Sequence, residues 1–181
     1  MDLKEKLVSS FLAFENKGVL DLDSKVHSIR SKAIQNFEKE GFPTKKDEEW
    51  KYTSLRSLVK NDFSLFPKTG KPIGFKNIKE YLINEIESYT LIFIDGVFSS
   101  FLSDTTHDEC DVCVLSSALT RPKYKMVVDN YFNTIAKDNN SLTELNTAFS
   151  VEGAFINIPK NTIVPKPIQI LNFSTGSEKE A

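Results

Sequence analysis

The run Leu91-Ile92-Phe93-Ile94-Asp95-Gly96, followed by Val97 to Ser100, constrains the fold more than any other part of this chain. Two apolar runs flank an Asp-Gly pair. A type I′ turn needs positive φ at both central positions, and Asp-Gly satisfies it, so the segment predicts a β-hairpin. The strands predicted around it are short. Val112 to Leu115 predicts one, and Ala154 to Ile158 and Pro167 to Phe173 predict two more. The last two are joined by Pro159-Lys160-Asn161-Thr162 and Pro165, and short strands separated by tight turns suit a rung of a β-solenoid.

The first part of the chain has a different texture. Leu3, Leu7, Phe11 and Phe14 recur at helical spacing, with Asp2 and Glu5 placed as a capping box and Gly18 as a stop. Ser24 is a good N-cap for a second helix whose apolar stripe is Val26, Ile29, Ala33 and Phe37, ended by Gly41 and Pro43. Pro67, Gly70, Pro72 and Gly74 mark the best internal boundary. Beyond it, Ile78, Leu82 and Ile86 predict a short helix, and Tyr124 to Ala136 predicts another. Ser141-Leu142-Thr143-Glu144 reads as a capping box opening a last helix that runs to about Phe149. The expected class is therefore α+β: an N-terminal helical region over 1–68, a small α/β region over 69–150, and from 151–181 the first strands of a β-helix (β-solenoid).

Residues 41–55 hold the sole tryptophan, Trp50, inside a dense set of charges that includes Glu48, Glu49 and Lys51. The residues alone predict a helix or turn that anchors to a core through Trp50 and Tyr52 while its charges face water. The order Gly41, Pro43, Lys46, Glu49, Trp50, Lys51, Tyr52, Thr53, Leu55 also resembles the N-terminal signature of the SufB/SufD family of iron–sulfur cluster assembly proteins, on its SufD side. Arg30, Ala33 and Phe37 upstream fit it. So do the apolar run ending in Asp95-Gly96, Leu145-Asn146-Thr147-Ala148-Phe149, Gly153 and Pro167-Ile168. The matches are collinear.

The resemblance implies a protein more than twice this length, with the rest of the β-helix and a C-terminal helical region following. It implies that the C-terminal region meets the ATPase subunit SufC. It also implies that the late β-helix meets SufB and carries the cysteine and histidine linked to cluster formation. No catalytic residue is carried over to this chain. The expected role is a non-catalytic scaffold subunit of the SUF machinery, a SufD-like component of a SufB–SufC–SufD complex, here its N-terminal part. No cofactor is expected in this part, since the full complex handles the iron–sulfur cluster. Arg30, Gly41, Pro43, Glu49, Trp50, Lys51, Tyr52 and Thr53 are expected to serve structure.

Composition excludes several alternatives. Twenty-three basic residues stand against 25 acidic ones, a net charge of −2. Residues 1–68 carry 13 and 11 and the remainder 10 and 14, so no basic face is expected for nucleic acid. The N-terminus lacks the apolar core of a secretory signal, no run approaches a membrane span, and two cysteines make no disulfide framework. A cytoplasmic protein with no membrane partner is expected.

Two rival functions come from the residues. His107, Cys110 and Cys113 form His-x-x-Cys-x-x-Cys, and thiolate and imidazole ligands suit zinc or iron, which makes a small metal carrier conceivable. Structural sites want four ligands and no second Cys pair exists, so the expectation is no metal, with Cys113 a small core residue and Cys110 a loop thiol. The other rival is a β-solenoid acyltransferase, which requires a hexapeptide rhythm that residues 151–173 do not show. His27, beside Val26 on a predicted helix, is expected to be solvated or at a core edge rather than a catalytic base.

Overall fold

The computed structural model describes residues 2–15, 24–61, 63, 73–105, 107–135 and 140–175. The chain forms a mixed α+β structure, with its long helices early and its strands in the second half. Contacts group it into two compact units, each built from two stretches. One unit takes 1–65 and 122–150, the other 66–121 and 151–181. The chain passes from one unit to the other after Leu65 and again after Ser150. A third change, after Arg121, has no Pro/Gly-rich signal beyond Pro122.

In the first unit, α1 (Leu3–Glu15) and α2 (Lys25–Glu40) supply most of the core. Asp2 and Glu5 close the capping box reciprocally: the Glu5 N–H donates to Asp2 Oδ1 at 2.8 Å and the Asp2 N–H to Glu5 Oε2 at 3.0 Å. Gly18 lies outside the described residues. Ser24 caps α2, its hydroxyl accepting from the His27 N–H at 3.1 Å. The buried stripe of α2 is Val26, Arg30, Ala33, Ile34 and Phe37; Ile29 is only half-buried. Leu3, Leu7 and Phe11 pack with Ala33, Ile34, Phe37 and Ala148. The turn after α2 leads into a single 3-10 turn (Glu48–Trp50) and the short helix α3 (Arg56–Val59).

The second unit opens with α4 (Phe75–Ile78) and a 3-10 turn to Tyr81, so the helix expected through Ile86 stops before Leu82. Strand β1 (Tyr89–Ile94) turns back into β2 (Val97–Phe98), with Ile94 opposite Val97. Asp95 and Gly96 have φ 49° and 80°, the two left-handed positions that the hairpin required. Leu91, Ile92, Phe93 and Ile94 are all buried, so both faces of β1 are covered, which explains the unbroken apolar run.

Strand β3 (Asp111–Val114) passes directly into α5 (Leu115–Thr120), an element with no signal in the sequence; Leu115, expected to end the strand, instead starts the helix. In the first unit α6 (Pro122–Tyr131) and α7 (Ser141–Ala148) follow. Strand β4 (Ala154–Asn157) pairs antiparallel with β3, and β5 (Ile168–Phe173) pairs parallel with β1 from Tyr89↔Ile168 to Ile94↔Phe173. The two strands expected to form a solenoid rung therefore join two different sheets, each onto a strand from earlier in the chain.

Candidate functional site

The turn that follows α2 collects the signature residues. Gly41 ends the helix at φ 72° and ψ −164°, a conformation open essentially to glycine, and its N–H donates to the Phe37 carbonyl at 2.7 Å. Phe42 then sets its ring edge-on to Phe37 at 5.2 Å, which turns the chain along the end of the helix. Thr44 and Asp47 close the next turn. Asp47 Oδ2 accepts from the Thr44 N–H at 2.6 Å and from its hydroxyl at 3.1 Å, while the Asp47 N–H donates to the Thr44 carbonyl at 3.0 Å. These bonds favour the charged carboxylate and hold Asp47 below the usual carboxylate range, the backbone N–H acting most.

Trp50 and Tyr52 do not anchor this turn as expected. Tyr52 is 90% exposed, with the Lys51 ammonium 5.6 Å from its ring centre, and Trp50 is half-buried and outside the core. The reason is local. Only one 3-10 turn forms before the chain reverses at Lys51 and Tyr52, so helical spacing never places the two rings on one face. Glu48, Glu49, Lys51 and Thr53 are exposed as well.

Two clefts flank the turn. One, of about 910 Å³, is bordered by Glu40, Asp47, Glu48, Glu49 and Trp50, and closed by Asn140 and Ser141 at the start of α7. The expected cap of α7 is corrected here: Asn140, not Ser141, is the N-cap, its Oδ1 accepting from the Leu142 N–H at 2.9 Å. Asn140 also reaches toward Glu49 Oε2 at 3.5 Å, and Glu144, freed from a capping role, accepts from Asn36 Nδ2 at 3.1 Å. The second cleft, of about 740 Å³, lies between Phe42–Lys46 and Ser54–Lys60.

Arg30 sits apart from this turn and is 2% exposed. Its Nε–H donates to the Ala148 carbonyl at 2.8 Å and its guanidinium lies 5.9 Å from the Phe11 ring centre. Burial lowers its pKa while the Glu15 carboxylate opposes that effect. Nearby, His27 Nε2 lies 3.2 Å from Glu15 Oε1. His27 is a core-edge residue.

The His-x-x-Cys-x-x-Cys residues are not gathered. His107 lies against the Tyr89 ring, centroids 3.9 Å apart, with Nε2 at 2.9 Å from the Asp104 carbonyl oxygen. The roles expected of the cysteines are reversed: Cys110, just before β3, is buried, whereas Cys113 in the strand is half-buried. Burial pushes both thiols up. Glu109 and Asp111 add to the effect at Cys110, and Arg121 opposes it at Cys113. Among the described residues, no group of three His, Cys, Asp or Glu side chains is arranged to hold a metal ion, and no helix is long and apolar enough to cross a membrane.

The sequence compared with known proteins matches one family along nearly its whole length. Residues 1–170 match the family described as SufBD protein N-terminal region. An iron-sulfur cluster assembly SufBD family protein of Synechocystis sp. (strain ATCC 27184 / PCC 6803 / Kazusa) is 29% identical over 129 residues, covering 71% of this chain and 28% of that protein. The iron-sulfur cluster assembly protein SufD of Escherichia coli (strain K12) is 33% identical over 73 residues, 40% of this chain and 16% of that protein. The chain thus spans less than a third of the length of either relative. With the Gly41–Leu55 turn, buried Arg30 and the Asp95-Gly96 hairpin all lying inside the matched range, the chain belongs to the SufBD N-terminal region family.

Proposed function

We propose that this chain is the N-terminal part of a SufD-like scaffold subunit of iron–sulfur cluster assembly, acting without catalysis of its own. The match over residues 1–170 carries this reading, and the names of both relatives support the same process. In the whole protein, residues after this chain would build the β-helix. SufB-like and SufC-like subunits would be its partners, with the SufC-like subunit hydrolysing ATP and the cluster being cargo of the assembly. A cytoplasmic location fits that role.

Neither rival gains support. The metal carrier needs His107, Cys110 and Cys113 to converge, and the acyltransferase needs successive solenoid coils, whereas the described strands join two separate small sheets.

Co-expression of the full-length gene product with SufB- and SufC-like subunits tests the proposal. The expected result is a stable ternary complex whose ATPase activity needs the SufC-like subunit and persists in a complex lacking this one. Failure to co-purify with either subunit would overturn the scaffold reading.

A further inference from the structure

The signature turn separates two clefts of different net charge, with Lys46 lining both. Glu40, Asp47, Glu48 and Glu49 border one of them. The other has a floor of Phe42, Leu55 and Val59, each half-buried. Its rim carries Lys45, Lys46, Arg56 and Lys60, all exposed, and among the described residues no carboxylate lines it and no ion pair engages these four cations. Leu58, on the same short helix, is 42% exposed. Four like charges about a half-exposed apolar strip repel one another and leave its outer side to water among the described residues, so an occupant bringing carboxylates and apolar side chains relieves both costs.

We propose that this cleft docks an acidic peptide segment of a partner protein, one in which carboxylates alternate with apolar side chains. The apolar floor selects a peptide over a small anion. All four cations are at the surface, so an isolated phosphate would stay hydrated there and bury nothing of the exposed parts of Phe42, Leu55 and Val59. Nucleic acid is disfavoured because the acidic cleft on the other side of the same turn repels a backbone running past it, and the chain's net charge is −2. The docking surface is independent of how the cluster is assembled.

Fluorescence anisotropy with the purified chain and a labelled synthetic peptide of alternating Glu and Leu tests it at low salt. A Gln/Leu peptide of equal length and inorganic phosphate serve as comparisons. Binding of the Glu/Leu peptide should exceed that of the Gln/Leu peptide by at least about tenfold and weaken with salt. The double variant Lys45→Gln/Lys60→Gln should lose a similar factor at unchanged Tm, and Val59→Ser should also weaken binding. Lys76→Gln/Lys79→Gln, in the other unit, should leave binding unchanged. Absent binding, equal affinity for the Gln/Leu peptide, or an equal loss in the Lys76/Lys79 variant would overturn the proposal. Full displacement by inorganic phosphate would overturn it in favour of a small-anion site.

Discussion

The Nε–H of Arg30 donates to the carbonyl oxygen of Ala148 at 2.8 Å, joining the middle of α2 to the last residue of α7. The two residues stand 118 positions apart, and the bond satisfies one of the carbonyls that every helix end leaves without an intrahelical partner. Because Ala148 is fully buried, no water can replace the donor. Arg30→Ala is expected to destabilise the chain by about 2–4 kcal/mol, combining the lost bond with lost packing against Phe11. Arg30→Met restores the stem without the donor and should recover at least half of that loss. Urea unfolding of the three proteins checks this, and an Arg30→Ala midpoint equal to wild type would reject the bond as a structural link.

Gly41 is the position in the signature turn where backbone geometry alone dictates the residue. At φ 72° and ψ −164° a side chain is strained wherever it points, and a Cβ would also lie 3.4 Å from Lys4 Cδ. Gly41→Ala is expected to cost about 1–3 kcal/mol. Gly153 is the control, since a Cβ there meets nothing within 4 Å and its φ is not positive. Gly153→Ala should be neutral or slightly stabilising by thermal melting, and equal losses at both glycines would show that the strain argument fails.

Tyr52 and Trp50 should respond differently to truncation. Tyr52→Ala removes a 90% exposed ring and is expected to change stability by less than about 0.5 kcal/mol. Trp50→Ala removes a half-buried ring, with an expected cost of about 1–2 kcal/mol, below the range for a fully buried aromatic residue. Differential scanning fluorimetry separates the two. A Tyr52→Ala loss as large as that of Trp50→Ala would mean the tyrosine packs in a way its exposure denies.

Local signals were legible wherever short-range chemistry decides the outcome. The Asp95-Gly96 turn, the Asp2/Glu5 box and the Ser24 cap each need only a few adjacent residues, and all three form as their sequences demand. Long-range pairing was not legible. Nothing within Ile168–Phe173 says that its partner is β1, and nothing within Ala154–Asn157 names β3, because an apolar strand fits any unpaired edge of suitable face. The site failed for another reason. An apolar ring body with a polar handle predicts an anchor at Trp50 and Tyr52, yet anchoring depends on how far the helix runs, and here one turn forms. The Arg30 link left no mark in the residues beyond the place of Arg30 in the family signature, because a charged residue beside the apolar stripe of α2 gives no sign of its partner.

The Thr44–Asp47 turn predicts a pH effect with a definite sign. Hydrogen bonds from Thr44, the backbone N–H first and the hydroxyl second, hold the Asp47 carboxyl below its ordinary range. The folded value lies under the unfolded one, which is about 3.9. The turn therefore contributes stability above that pH and loses it as the pH falls through the folded value. Thr44→Val removes the hydroxyl and keeps the N–H, so Asp47 should titrate higher than in wild type but still below an unperturbed Asp. Carboxyl-detected NMR titration reads both values. An unchanged Asp47 in the variant would assign the whole effect to the backbone.

Cys110 and Cys113 should both be slow toward thiol reagents at neutral pH in the folded chain. Burial raises both thiols, Glu109 and Asp111 raise Cys110 further, and the thiolate is the reacting species. Cys113 is half-buried and should react first, while Cys110 is buried and should wait for local or global opening. With a chromogenic disulfide reagent the expected trace is one slow phase and one slower phase, collapsing to a single fast release of both thiols in urea. The same chemistry bears on metal capture, because a thiol must lose its proton to become a ligand. A fast-reacting Cys110 at neutral pH would contradict its burial, free its sulfur for binding, and reopen the metal-carrier reading of His107, Cys110 and Cys113.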